Sequence, residues 1–484
     1  MRKYRYLLVM LYASAAMAQP PTDKIDKLMQ QFHQYDQFDG VILVAESGKV
    51  LYRRAYGIAD REWSINNTVD TKFEIASITK TFTALMIMQL YEAGKIDLDE
   101  KMIRYLNDYP SETGAKITVR QLLMHRSGLQ VDIADFPPSG NNFPDIAAKI
   151  NEEFLSLKEQ VDLIARRPLL FEPGTRFSYS SDGYSVLGRI IEVVTAMSYE
   201  HALDSLMIKP LGLKNTGYKN HYAIIGKRAT GYKEKYDGYE KGRQFGIAPS
   251  GGMYSTVDDL FTWEQALYTD KLISQKSKDI IFRKTSGITN YGWKVNENFF
   301  GTTAADSVKV VKCTGALPGF NALVVRFPRD HKTIIILENV RRITYRHDEI
   351  AQSVANILYN KQTTSPKKSL ARAMLSASQE SGTDGAMKLF RAFKDNSAAY
   401  YLSEAEMNSI GYYLLYTLGN INAAIEFFKV NTVQFPQSSN VYDSLGEAYM
   451  VLGDKENAMI NYTKSLELNP NNTNAVEMIR KLKE

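Results

Sequence analysis

A serine and a lysine three positions apart, Ser77 and Lys80 in Ser77-Ile78-Thr79-Lys80, share one face when they open a helix, so their hydroxyl and amine can touch. A serine hydroxyl is a poor nucleophile until a base takes its proton. A lysine amine can be that base once it is uncharged, and burial and the positive end of a helix both disfavour the ammonium. The Ser77 N–H is one of the unpaired amides of the helix start, so it can face a developing oxyanion. Together these features spell acyl transfer. Ser-x-x-Lys alone is weak, recurring by chance about once in a few hundred positions at average residue usage. The alternative is a helix cap followed by a surface lysine. Context favours chemistry, because the helix continues as Ala84-Leu85-Met86-Ile87-Met88. A helix apolar on every face belongs in a core, where a free surface lysine is out of place.

Two further stretches could complete such a site. Tyr179-Ser180-Ser181 follows Phe171-Glu172-Pro173-Gly174-Thr175 and precedes Asp182-Gly183-Tyr184. A tyrosine held by a tight loop can relay protons between serine, lysine and leaving group, although one of 30 tyrosines can as readily be packing. Cys313-Thr314-Gly315 leads into Ala316-Leu317-Pro318-Gly319-Phe320 ahead of a strong strand. Glycine on an edge strand lets a substrate backbone lie close, and the Ala316 N–H can be a second oxyanion donor. The alternative is an ordinary strand start. A Ser–His–Asp triad through His125 is disfavoured, since the chain has no Gly-x-Ser-x-Gly elbow. The six histidines show no metal-like pairing, and none is placed to activate Cys313 as a nucleophile. No cofactor and no metal is expected.

The elements that must position these residues follow from pattern. Val41–Ala45 and Val50–Tyr52 around Ser47-Gly48-Lys49 read as a hairpin, as do Leu323–Phe327 and Thr333–Leu337 around Pro328-Arg329-Asp330-His331. Ile334-Ile335-Ile336 reads as a central strand. A helix is predicted from near Ser77 to near Gly94 and another over 347–360, with helices and Gly/Pro/Asn-rich loops between 100 and 300. Strands at both ends with helices between predict an α+β domain whose antiparallel sheet joins the two ends.

Taken in order, these stretches resemble the serine penicillin-recognising family, closest to its class C β-lactamase, D-alanyl-D-alanine carboxypeptidase and esterase branch. Phe73 to Lys80, Gln121 to Leu129, Phe171 to Thr175, Tyr179 to Tyr184, Gly251 to Thr256 and Thr314 to Phe320 carry the likeness, which covers residues 25–360. The resemblance implies a β-lactamase/transpeptidase-like antiparallel sheet flanked by helices, plus a helical domain. It implies that Ser77 is acylated, that Lys80 is its base partner and that Tyr179 is the second acid/base. It further implies that Ser181 takes the place of the usual Asn and that Thr314 and Gly315 line the substrate strand. It makes His125-Arg126-Ser127-Gly128 a structural turn. Two departures bear on the substrate. Cys313 stands where Lys or His is usual, so the cation that helps hold a substrate carboxylate is missing, and alternation points neighbouring Lys312 to the opposite face. Ser181 also removes an amide donor. Acyl transfer survives both changes. An ester or a D-amino-acid amide becomes as plausible a substrate as a β-lactam, and capture of a β-lactam or peptidoglycan fragment without turnover is the competing reading.

The 484 residues, 44% hydrophobic and 23% charged, suit two or three domains with a sizeable core. Residues 1–18 read as a secretory signal: Arg2, Lys3 and Arg5, an apolar run from Leu7 to Leu11, then Ala16-Met17-Ala18. The alternative is an uncleaved anchor, but the run is short of the roughly 20 residues a span needs. Cleavage predicts a secreted or periplasmic protein without a transmembrane anchor, and lowers the formal net charge from +5 to +2. With no basic stripe interleaved with aromatics, nucleic acid is not an expected partner. The single cysteine allows no internal disulfide. A domain over 19–360 is followed by a linker and helical segment over 361–400, polar from Lys361 to Lys368. Repeats then fill 401–484. Gly419 and Gly453, Ala424 and Ala458, Phe428 and Tyr462, and Pro436 and Pro470 each lie 34 apart, and Tyr442, Leu445, Gly446, Tyr449, Ala458, Tyr462 and Pro470 resemble the tetratricopeptide signature. Two repeats are clear, a degenerate third runs through Ala386 and Phe390, and so few should pack on the first domain. They could dock a protein segment or serve as a stabilising cap. The other expected partner is a small-molecule or peptidoglycan-derived substrate.

Overall fold

A computed structural model describes residues 20–129, 155–218, 223–242, 248–284, 289–296, 299–300, 308–344, 346–393 and 398–484. The expected signal segment, residues 1–18, lies outside them. A six-stranded antiparallel sheet organises the first domain. Its strands are β1 (Gly40–Glu46), β2 (Lys49–Tyr56), β3 (Lys294–Asn296), β4 (Val310–Leu317), β5 (Phe320–Phe327) and β6 (Lys332–Glu338), in the order β3-β4-β5-β6-β1-β2. Both expected hairpins form, and the two ends of the domain share the sheet, with Ile42 opposite Ile336 and Leu43 opposite Ile335. The isoleucine run is central because both faces of the sheet are covered. Ile42, Val44, Leu323, Val325, Ile334 and Ile336 meet one apolar layer, which includes α1 (Pro21–Gln34). Val41, Leu43, Ala322, Val324, Ile335 and Leu337 meet the other, which includes α2 (Thr79–Glu92). The period-2 alternation of a strand therefore reads here as unbroken hydrophobicity.

Helix α2 runs through that second layer, and Thr79 through Met88 are all buried. Phe82 stacks on Trp263 at 4.5 Å, and Trp263 on Trp293 at 5.4 Å. Burying each such side chain stabilises by roughly 1.5–3 kcal/mol. The helix does not begin smoothly at Ser77. A 3₁₀ turn over Ala76–Ile78 precedes it, with Ala76 at φ +48°. A non-glycine residue there is strained and must be held by its surroundings. Met253 supplies part of that hold: its carbonyl accepts from the Ile75 N–H at 3.0 Å and its N–H donates to Thr79 Oγ1 at 3.2 Å. Two more helices frame the site, α3 (Ser181–Thr195) and α4 (Val257–Ala266).

After α5 (His347–Leu358) the chain enters α6 (Leu370–Phe393), broken at Ser381 and Gly382. Then follow α7 (Glu404–Tyr412), α8 (Ile421–Gln434), α9 (Ser439–Leu452), α10 (Lys455–Leu468) and α11 (Thr473–Lys483). The small residues of the 34-residue pattern allow close helix approach. A methyl group on Gly446 would lie 3.1 Å from the Tyr462 ring, and Ala424 and Ala458 are fully buried. The helices rest on the first domain. Tyr236 packs against Tyr413 at 5.3 Å, and Arg372 reaches Glu234 through two bonds of 2.9 and 2.8 Å.

Candidate active site

The strained turn at Ala76 leaves Ser77 at the head of α2, half-buried, with Lys80 one turn along and 1% exposed. Lys80 Nζ lies 3.1 Å from Ser77 Oγ, 3.3 Å from Ser181 Oγ and 2.8 Å from the carbonyl oxygen of Ser250. Tyr179 Oη is hydrogen-bonded to Ser77 Oγ at 2.9 Å from the other side. Four residues singled out in the sequence, Ser77, Lys80, Tyr179 and Ser181, thus form one connected group. Ser77 and Tyr179 stand 102 positions apart in the chain.

Tyr179 is held by the turn over His125–Gly128. The His125 carbonyl accepts from the Ser178 N–H at 2.9 Å, and its ring Nδ1 accepts from the Ser180 N–H at 3.1 Å. That ring stacks on Tyr179 at 4.5 Å. Arg126 O accepts from Gly174 N–H, and Gly128 O from Leu170 N–H, both at 2.8 Å. The turn therefore pins the whole preceding loop, and Ser180 caps α3 through the Gly183 N–H. His125 bonds neither Ser77 nor an acidic partner, which disposes of a triad. Its role as a clamp on Tyr179 went unseen in the sequence; the signal for it was only its place in the turn motif. Ser250 was also missed, because a backbone carbonyl leaves no trace in residue type.

Burial pushes the His125 imidazole down to about 3, and the charge of Lys80 adds to the effect. The folded protein then binds no proton on His125 between about pH 3 and the ordinary value of 6.5, whereas the unfolded chain does. Stability must fall as pH drops through that window. The native protein is expected to lose about 2 kcal/mol from this group between pH 7 and pH 5. His125→Asn, which tolerates the local φ of +55° and does not titrate, should lack that slope. Denaturant unfolding at the two pH values checks this, and equal slopes in both proteins would refute it.

Strand β4 forms the facing wall. Gly315 is required there, since a Cβ would sit 2.1 Å from the Ile75 carbonyl oxygen. Any side chain would push β4 off the turn that carries Ser77. Leu317 and Phe320 flank the two-residue turn Pro318-Gly319 and pair with each other. Such flanking residues exchange hydrogen bonds, so at the next pair the Ala316 N–H points away from β5, toward the free edge. Ala316 is exposed and Thr314 half-buried. Cys313 lies elsewhere: it shares the inward face with Val311 and is packed in the core, 1% exposed, where burial pushes its thiol up. It stays an uncharged SH beneath the site. Lys312 points to the other face, as alternation predicts, and pairs with Asp348 at 2.7 Å. Among the described residues no group of three His, Cys, Asp or Glu could hold a metal ion. No helix there is long and apolar enough to cross a membrane.

Comparison with known proteins agrees with this architecture. Residues 25–379 match the β-lactamase family and residues 439–472 the tetratricopeptide repeat. A penicillin-binding protein of Bacillus subtilis is 29% identical over 376 residues, covering 73% of this chain and 79% of its own. The fold is also that of D-amino acid amidase from Ochrobactrum anthropi SV3 (TM-score 0.60, 23% identity, 70% of this chain and 99% of that one). A penicillin binding protein from Bacillus halodurans has it too (TM-score 0.56, 22% identity, 69% and 97%). The chain belongs to the β-lactamase family and carries a tetratricopeptide repeat toward its C-terminal end.

Proposed function

We propose that this protein is an exported serine hydrolase that acts on an amide or ester through an acyl-enzyme at Ser77. The observation that carries the reading is the connected group of Lys80 Nζ, Ser77 Oγ and Tyr179 Oη, at 3.1 and 2.9 Å. Once its ammonium has given up a proton, Lys80 takes the Ser77 proton while Oγ bonds to the substrate carbonyl carbon. The N–H groups of Ser77 and Ala316 stabilise the resulting oxyanion. Collapse breaks the bond to the leaving group, which takes a proton from Tyr179. Tyr179 recovers its proton from Lys80. Water then attacks the ester at Ser77, with the same groups working in reverse, and releases the acid. Export rests on the pattern of residues 1–18, and Thr314, Gly315 and Ser181 line the substrate channel in this reading. The substrate is a β-lactam, a D-amino-acid peptide or a small ester. The named activity of the Ochrobactrum amidase supports the second of these. The repeats offer a protein-docking module or a cap on the first domain.

One observation favours a second reading, a trap without turnover: the position whose cation would hold a substrate carboxylate is the buried Cys313. Stopped-flow hydrolysis of p-nitrophenyl acetate separates the two. The enzyme reading expects a burst near one equivalent followed by steady release, with the acetyl group mapped by mass to the peptide bearing Ser77. A burst with no steady phase identifies a trap. Neither burst nor adduct, together with no labelling by a fluorophosphonate, overturns both.

A further inference from the structure

We propose that the cavity beyond the end of β4 binds a carboxylate on the acyl part of the substrate, with Arg228 selecting it; this rests on the acyl-enzyme reading above. The cavity holds about 440 Å³, within the size range of small-ligand sites. It opens one residue past Ala316. Leu317, Pro318 and Phe320 form one wall, and Glu74, Arg228 and Lys241 are the charged residues of a lining completed by the apolar and small residues of 223–225 and 229–231. Glu74 lies three residues before Ser77 and pairs in register with Tyr254 on the strand Met253–Ser255, so the cavity is built on the same framework as the nucleophile. The wall is close-packed: a Cβ on Gly242 would meet the Pro318 carbonyl at 2.2 Å.

Charge decides what it takes. Position 313, on the near side of Ala316, offers no cation, and Lys312 is committed to Asp348 on the far face of the sheet. Past Ala316 the cavity brings two cations. Lys241 is held by Glu62 at 2.7 Å, whereas Arg228 has no carboxylate within ion-pair distance among the described residues. With Lys241 committed to Glu62, Arg228 is the cation among the described lining residues left for a ligand, which suits one carboxylate and not two. A guanidinium can grip that carboxylate by two parallel bonds. The leaving group must depart toward the hydroxyl that protonates it, and neither Tyr179 nor Ser181 lines this cavity. The cavity therefore serves the acyl side.

The test uses the full-length protein and p-nitrophenyl half-esters of adipic and pimelic acid, against neutral p-nitrophenyl esters of equal chain length. The wild type should favour the half-esters in kcat/KM by about tenfold, a preference that shrinks as salt screens the charges. In Arg228→Gln the ratio should fall to near one, and Arg228→Lys should restore much of it. Melting curves of both variants confirm folding. A ratio equal in wild type and R228Q, or a wild type that prefers the neutral esters, overturns the assignment. A preference instead for esters with the carboxylate on the leaving phenol places the anion site on the wrong side and also overturns it. Hydrolysis of no ester by the wild type overturns the Ser77 reading, and this inference with it.

Discussion

Lys80→Met should lower ester turnover by roughly 10³-fold, the middle of the range for loss of one positioned base, with the protein still folded. Methionine matches the length of the lysine stem and fills its buried slot. What it removes is the group that touches Ser77 Oγ, Ser181 Oγ and the Ser250 carbonyl together. The sharper experiment is Lys80→Arg. Guanidinium keeps the positive charge but does not give up its proton in a protein. If Lys80 only polarised Ser77 electrostatically, arginine would preserve much of the rate. As a base it is irreplaceable, so K80R should be as slow as K80M. Ser77→Ala should lose the acyl adduct altogether, and adding Lys80→Met to it should cost little more, because residues that act as a unit are not additive. Activity of folded K80R within tenfold of wild type would end the proposal that Lys80 takes the proton.

The reason Ser77 and Lys80 were legible in the sequence is that their meeting is local: three positions on one turn bring hydroxyl and amine together without help from the rest of the chain. Tyr179 and Ser181 were legible only by their motif, since their approach to Lys80 depends on the His125 turn gripping their loop, and Tyr179 itself lies 102 positions from Ser77. The hairpins were legible for the same local reason, as apolar runs broken by turn residues. Strand β3 has three residues, and the small sheet joining Phe73–Glu74, Met253–Ser255 and Gly217–Tyr218 is built of pieces of two or three. Such lengths carry no readable period, although this small sheet sets the turn at Ala76 and a wall of the cavity. The 34-residue spacing exposed the repeats. Nothing local could reveal how they attach, because the charges that join them to the first domain come from Glu234, Arg342, Arg372 and Glu406, scattered over the chain.

That junction yields the largest stability effect expected of a single change. Arg372 on α6 holds Glu234 of the first domain through both guanidinium nitrogens and Glu406 of α7 through Nε at 2.7 Å. Both carboxylates are almost fully buried, at 3% and 2% exposure. Glu406 gathers hydroxyls as well, from Ser369, Thr344 and Tyr401, but Arg372 is its only cation among the described residues. Glu234 keeps Arg342 at 3.3 Å and the Ile343 N–H at 2.8 Å. Arg372→Met therefore strands Glu406 more than Glu234. Breaking a buried ion pair from one side costs about 3–5 kcal/mol. Arg372 is 30% exposed, so water softens its own side and the lower end, about 3 kcal/mol, is expected. If the stranded charge is the cause, Arg372→Met/Glu406→Gln should be more stable than the sum of its single changes, a coupling that double-mutant analysis isolates. The junction should fail before either core does. Urea unfolding of R372M should then show α7 to α11 melting ahead of the first domain, with protease cutting first between Lys361 and Lys368. A single transition at the wild-type midpoint would mean that the apolar contact around Tyr236 and Tyr413 joins the two parts without help from Arg372.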